Sequence, residues 1–219
     1  MAELESLAIK ADEDLDHHIG RHMLDRLVML SDGVFAISVT LAAIEIKVPD
    51  SLPTLSGILD ALSVELSAYL VSFMVIAVFW VTSRDLFARL KRVDNVLTAL
   101  TLGMLCAVAL IPASSHMMEP HRDITGSLRF YALTMTVAGS FSLAMWLYAS
   151  YRDGVMLEGV PRGFLINRWV SAATVPLLFL VVLSEPTTAM LRWMVPAVLV
   201  ILLVRRIVIP RILAPKRAA

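Results

Sequence analysis

Charge and cysteine are both scarce in this chain. Only 17% of its 219 residues are charged, while 58% are apolar. An ordinary soluble domain is about 25% charged and roughly 45–50% apolar. So few charged side chains cannot coat a soluble globule of this composition. A soluble enzyme, a disordered chain and a nucleic-acid binder are excluded on that ground. The 19 basic and 19 acidic residues cancel, so no bulk field attracts polyanions. A single cysteine, Cys106, excludes an internal disulfide and a Cys-rich metal site. The sequence also lacks Gly-x-Ser-x-Gly, His-Glu-x-x-His, a Walker A loop and Gly-x-Gly-x-x-Gly, so no enzyme activity and no cofactor are expected.

What the chain does have is long apolar runs, with a mean hydropathy of +0.76. A membrane helix needs about 20 mostly apolar residues. Six runs meet or approach this: Leu27–Ile46, Leu66–Thr82, Val96–Met117, Leu128–Ala149, Val170–Leu183 and Met190–Ile209. The expected fold is all-α, a polytopic membrane protein of six transmembrane helices. Residues 1–26 form a polar N-terminal lead, either helical or loose. Residues 27–209 form the membrane domain, and residues 210–219 form a basic tail. The lead has no apolar h-region, so no cleavable signal peptide is expected.

Fifteen of the 19 basic residues fall on one side of these spans. Lys47, Arg122, Arg129 and Arg192 fall on the other. The positive-inside rule then places both termini in the cytoplasm, in agreement with an even span count. Pro112, Pro176 and Pro196 lie inside spans and are expected to kink them. His17, His18 and His22 include an i, i+4 pair without a matching carboxylate, so they read as surface and no metal site is expected.

The first span is the unusual one. It carries Arg26, Ser31 and Asp32 at its cytoplasmic end. Ionisable groups in or near a span are costly and face protein or water. Arg26 and Asp32 are six residues apart, about 240° around a helix, so they are not placed to pair with each other. Ser31 and Asp32 read as a hydrogen-bond network that locks the bundle. Further out, Ile37, Leu41 and Ile44 recur at i, i+4, i+7 and form one stripe, with Thr40 beside it. Periodicity alone leaves helix packing and lipid contact open for this stripe.

The run Arg26-x3-Leu30-Ser31-Asp32-Gly33-Val34-Phe35-Ala36-Ile37, continuing to Leu41-x3-Glu45-Ile46-x-Val48-Pro49, resembles the signature of the transmembrane protein 175 family. These are potassium-permeable channels of lysosomes and prokaryotic plasma membranes. The likeness continues through Ser72-Phe73-x-Val75-Ile76-x2-Phe79-Trp80, Leu86-Phe87 and Asp94. It departs at Leu30, where the family pattern has Phe, and at Ser83 and Arg84, where many relatives carry a His pair.

The resemblance implies a prokaryotic channel of the cell membrane, assembled as a homotetramer around four copies of the first span. It implies a pore constriction at Ile37, further apolar layers at Leu41 and Ile44, and a selectivity position at Thr40. Arg26, Ser31, Asp32 and Trp80 become a structural network that holds the pore helix. The partners are then other copies of the chain, potassium and other monovalent cations, and the lipid bilayer. The family has no carbonyl selectivity filter, and the chain has no Thr-Val-Gly-Tyr-Gly loop. A secondary or proton-coupled transporter and a non-conducting membrane assembly protein are the alternative readings. Asp32 lies too near the cytoplasmic end to suit a carrier.

Overall fold

The computed structural model describes residues 1–44, 46, 54–117, 124–157 and 159–184, with the side chains of 2–19, 58–65, 67, 68 and 124 left aside. The expected sixth span, the basic tail, the outer-turn residues Glu45, Lys47, Pro49, Asp50 and Pro53, and His121 lie outside the described residues.

Among the described residues six helices follow one another: α1 (Ala2–Ile44), α2 (Leu55–Phe87), α3 (Asn95–Ala109), α4 (Ile111–His116), α5 (Ile124–Tyr151) and α6 (Arg162–Ser184). Five spans among the described residues are long and apolar enough to cross a membrane: Gly20–Ile44, Tyr69–Phe87, Asn95–His116, Thr125–Tyr151 and Arg162–Ser184. They coincide with the first five expected runs, and their ends differ by up to eight residues. The fifth shows the largest difference. Its apolar run starts near Trp169, but the helix begins at Arg162 because polar residues extend its first turns.

α1 is a single unbroken helix of 43 residues. At 1.5 Å per residue it is about 65 Å long, roughly twice the depth of a bilayer core. The N-terminal lead is therefore a continuation of the first span. The third span breaks at Leu110, and Pro112 sits in the first turn of α4, where its missing N–H costs nothing. α2 is capped by Thr54, whose hydroxyl accepts the Gly57 N–H at 3.3 Å. α3 is capped by Asp94, whose carboxylate accepts the Leu97 N–H at 2.9 Å. Within the spans, hydroxyls donate to the carbonyl one turn earlier, as Ser38, Thr82, Thr101 and Ser171 do. With no water at membrane depth, this is the cheapest way to satisfy a hydroxyl.

α5 is the centre of the bundle. It packs against α3, α4 and α6, and its contact with α6 is the most extensive. Met104, Val108, Ile111, Met135, Met145 and Trp146 fill the core between these elements. Close approach depends on small residues. A Cβ at Gly139 would stand 2.6 Å from the Pro176 ring and 2.9 Å from its backbone nitrogen. At Gly103 a Cβ would stand 2.6 Å from the Phe141 ring.

The basic loops at one end are tied together. The Lys91 N–H donates to the Val155 carbonyl and the Leu157 N–H to the Arg89 carbonyl, both at 2.8 Å. Arg168 of α6 pairs with Asp85 of α2 at 2.8 Å. Arg89 and Arg168 both stand over the Phe164 ring. This clamp fixes the α2–α3 and α5–α6 loops relative to one another, beside the end of the bundle where α1 carries Arg26 and Asp32.

Candidate functional site on the first helix

α1 presents two contrasting faces. Leu27, Ser31, Phe35, Ser38 and Ala42 recur every three or four residues and are buried against the bundle. The stripe on another face is open: Ile37 is 60% exposed, Leu41 45% and Ile44 76%. Thr40 is also exposed, and its hydroxyl donates to the Ile37 carbonyl at 2.8 Å. In the single chain the stripe therefore stays outside the buried core. The helix is amphipathic in packing, although almost uniformly apolar in composition.

Asp32 is bound from the neighbouring helix. The Trp80 indole of α2 donates to an Asp32 carboxylate oxygen at 2.7 Å. Ser31 is buried and donates to the Leu27 carbonyl at 2.8 Å, so its hydroxyl is satisfied within α1. Arg26 is exposed, without an ion-pair partner among the described residues, and on the side of α1 that carries Ile37. The structure thus brings Asp32 and Trp80 together, keeps Ser31 beside them in the buried seam, and leaves Arg26 apart. A half-open groove of 310 Å³ runs between α1 and α2 at this level. Val28, Phe35 and Phe87 give it apolar walls, and Asp25, Asp32 and Arg84 supply its charge.

The departures from the expected pattern have definite places. Leu30 is exposed on the open side of α1. Ser83 is buried and donates to the Phe79 carbonyl at 2.9 Å, facing Met104. Arg84 stands over the Trp80 ring, 5.2 Å from its centre. Two further polar pairs escaped the sequence reading. Tyr148 of α5 donates to Asp94 at 2.5 Å, and Asp85 holds Arg168. The i, i+4 spacing of Trp80 and Arg84 permits their contact without selecting it, and the other two contacts join distant segments that left no signal in the sequence. Among the described residues no group of three His, Cys, Asp or Glu side chains converges to hold a metal.

Comparison with known proteins places this helix pair in context. The profile of the family described as "Endosomal/lysosomal potassium channel TMEM175" matches residues 26–112, the segment holding both the stripe and the Asp32–Trp80 pair. A protein named potassium channel from Streptomyces collinus is 35% identical over 140 residues, covering 61% of this chain and 67% of the relative. The chain belongs to the TMEM175 family. A potassium channel of Chamaesiphon minutus is 28% identical over 146 residues, covering 63% of this chain and 71% of the relative. The TMEM175 protein of Gallus gallus, named an endosomal/lysosomal proton channel, is 20% identical over 156 residues, or 70% of this chain and 31% of its own length. These TMEM175 relatives are named as channels, not enzymes.

The crystal structure of a lysosomal potassium-selective channel TMEM175 homolog from Chamaesiphon minutus superposes with a TM-score of 0.65. That match has 22% identity and covers 85% of this chain and 97% of the other. The helical TMEM175 fold is shared between the two.

Proposed function

We propose that this chain is a potassium-permeable cation channel of the cell membrane, with α1 lining the pore. The observation that carries this reading is the open apolar face of α1. A helix anchored along one seam by Leu27, Phe35 and Ala42 leaves Ile37, Leu41 and Ile44 exposed among the described residues. Surrounding a pore with such helices requires further copies, and the family resemblance supports a ring of four. Six spans per chain and both termini in the cytoplasm complete the arrangement, with the basic loops inside.

The mechanism follows from the chemistry of the stripe. A ring of Ile37 side chains is an apolar collar with no oxygen ligands. In the closed state it dewets and stops ions. When the helices rotate or spread, water enters the collar and a cation passes that has shed part of its hydration shell. Potassium is favoured over sodium because sodium gives up its hydration at greater cost. Without a ring of carbonyl ligands the preference is modest. Leu41 and Ile44 extend the apolar passage, and the Thr40 hydroxyl borders it. The Asp32–Trp80 hydrogen bond holds α1 on α2 and sets the face it turns toward the axis. Ser31 and Arg26 complete the cytoplasmic end of the helix. The permeant ion is the ligand, and no cofactor is needed.

Ion flux from proteoliposomes holding the purified chain tests this reading. Fast potassium flux that exceeds sodium flux supports a channel. Saturable or absent flux for both ions contradicts it.

A further inference from the structure

Arg84 lies one turn beyond Trp80 on α2, and its guanidinium sits over the indole, 5.2 Å from the ring centre. The same indole donates its N–H to Asp32 of α1 at 2.7 Å. Carboxylate, indole and guanidinium thus form a continuous chain from α1 to α2. A cation is attracted to the negative face of an indole. With that face occupied, the ring is held in one orientation, its N–H aimed at α1. Drawing electron density toward the cation also makes the N–H a stronger donor. The Arg84 charge has no ion-pair partner among the described residues, so it acts mainly on this ring.

We propose that Arg84 is a positioning residue for conduction, holding Trp80 against Asp32 and so fixing the angle at which α1 presents Ile37. This rests on the channel reading given above. Asp32 lies five residues before Ile37, about 7.5 Å along the helix axis. A change in tilt or rotation at Asp32 is therefore carried directly to the collar. The 310 Å³ groove beside the contact leaves α1 room to shift. Once released, the four pore helices lower their free energy by burying Ile37, Leu41 and Ile44 on one another, which closes the passage. The contact with Arg84 opposes that collapse.

The test uses the full chain in proteoliposomes, with potassium flux as one readout. The second readout is the fluorine resonance of Trp80 in protein labelled with 5-fluorotryptophan, assigned by its loss in Trp80→Phe. Arg84→Gln shifts the Trp80 resonance and lowers flux about two- to fivefold, the range of an exposed cation–π contact. Arg84→Lys retains a cation and restores both readouts. Arg84→His behaves like wild type at pH 5.5, where imidazole is charged, and like Arg84→Gln at pH 8. Each comparison is made with wild type at the same pH. Asp25 and Asp32 are the other titratable groups that line this groove among the described residues. Combining Arg84→Gln with Trp80→Phe costs no more flux than Trp80→Phe alone.

The proposal is overturned if Arg84→Gln leaves resonance and flux unchanged, or if its loss adds to that of Trp80→Phe. A wild type without flux, whose Trp80 resonance still follows Arg84, overturns the channel reading and the role in conduction while keeping the contact.

Discussion

Replacing Ile37 by Asn exchanges a branched alkyl group for an amide that binds water. In the proposed collar of four such side chains this would remove the dewetted barrier. Ile37→Asn is expected to raise potassium flux several-fold and to bring the potassium-to-sodium ratio closer to one. Leu177→Asn, on the exposed face of α6, is expected to leave the ratio unchanged. The Asp32–Trp80 hydrogen bond gives a second prediction at this scale. A bond to a charged group contributes about 1.5–3 kcal/mol when well shielded, and an exposed one sits near 1 kcal/mol. Trp80→Phe is therefore expected to lower flux about fivefold without loss of folded protein, read by flux per reconstituted channel.

Sequence reasoning reached these residues unevenly. The Ile37–Leu41–Ile44 stripe was visible from spacing, and its exposure is now on view. Spacing also showed that Arg26 and Asp32 cannot pair, and the structure keeps them apart. Trp80 as the partner of Asp32 is 48 residues away, and only the family pattern pointed to it. Arg84 could be read only as a departure from that pattern. Its place over the Trp80 ring requires the structure, because either neighbouring helix could have taken its charge.

Among the elements, α1 and α5 behave differently because they bury different faces. α5 is packed on several sides, and its contact with α6 depends on the absence of a side chain at Gly139. Gly139→Ala places a methyl group against the Pro176 ring and backbone. Overpacking of this kind costs about 1–3 kcal/mol. The variant is expected to unfold at lower temperature in detergent, as followed by circular dichroism, and to keep its potassium-to-sodium ratio because α1 is not involved. Hydropathy located five of these elements well. It left the polar lead open between helical and loose, because the first 26 residues have no apolar period to mark a helix, and the structure makes the lead part of α1. Hydropathy missed where α6 begins, since Arg162, Asn167 and Arg168 carry polar groups into the first turns of that helix. The break at Leu110 was anticipated from Pro112, which lacks the N–H a continuous helix would use.

Across the whole molecule, one chain supplies one copy of the signature, and α1 carries an open apolar face. In the proposed reading a pore exists only after assembly. Native mass spectrometry of the detergent-solubilised protein is expected to show four copies, and a monomer that still conducts would be incompatible with a passage lined by α1. The basic loops, locked together by the Asp85–Arg168 pair and the backbone bonds between Arg89–Lys91 and Val155–Leu157, form the frame on which α1 and α2 sit. Membrane class was legible from composition, and the helical fold from the length of the apolar runs. Assembly was not, because an apolar stripe has the same sequence whether it meets lipid, another helix or a column of water. The measurement that separates these cases is potassium and sodium flux in proteoliposomes, for wild type and Ile37→Asn side by side. Potassium flux above sodium in wild type, with Ile37→Asn raising flux and erasing the difference, is the expected result. Identical flux and identical ion preference in the two proteins would remove Ile37 from the conduction path.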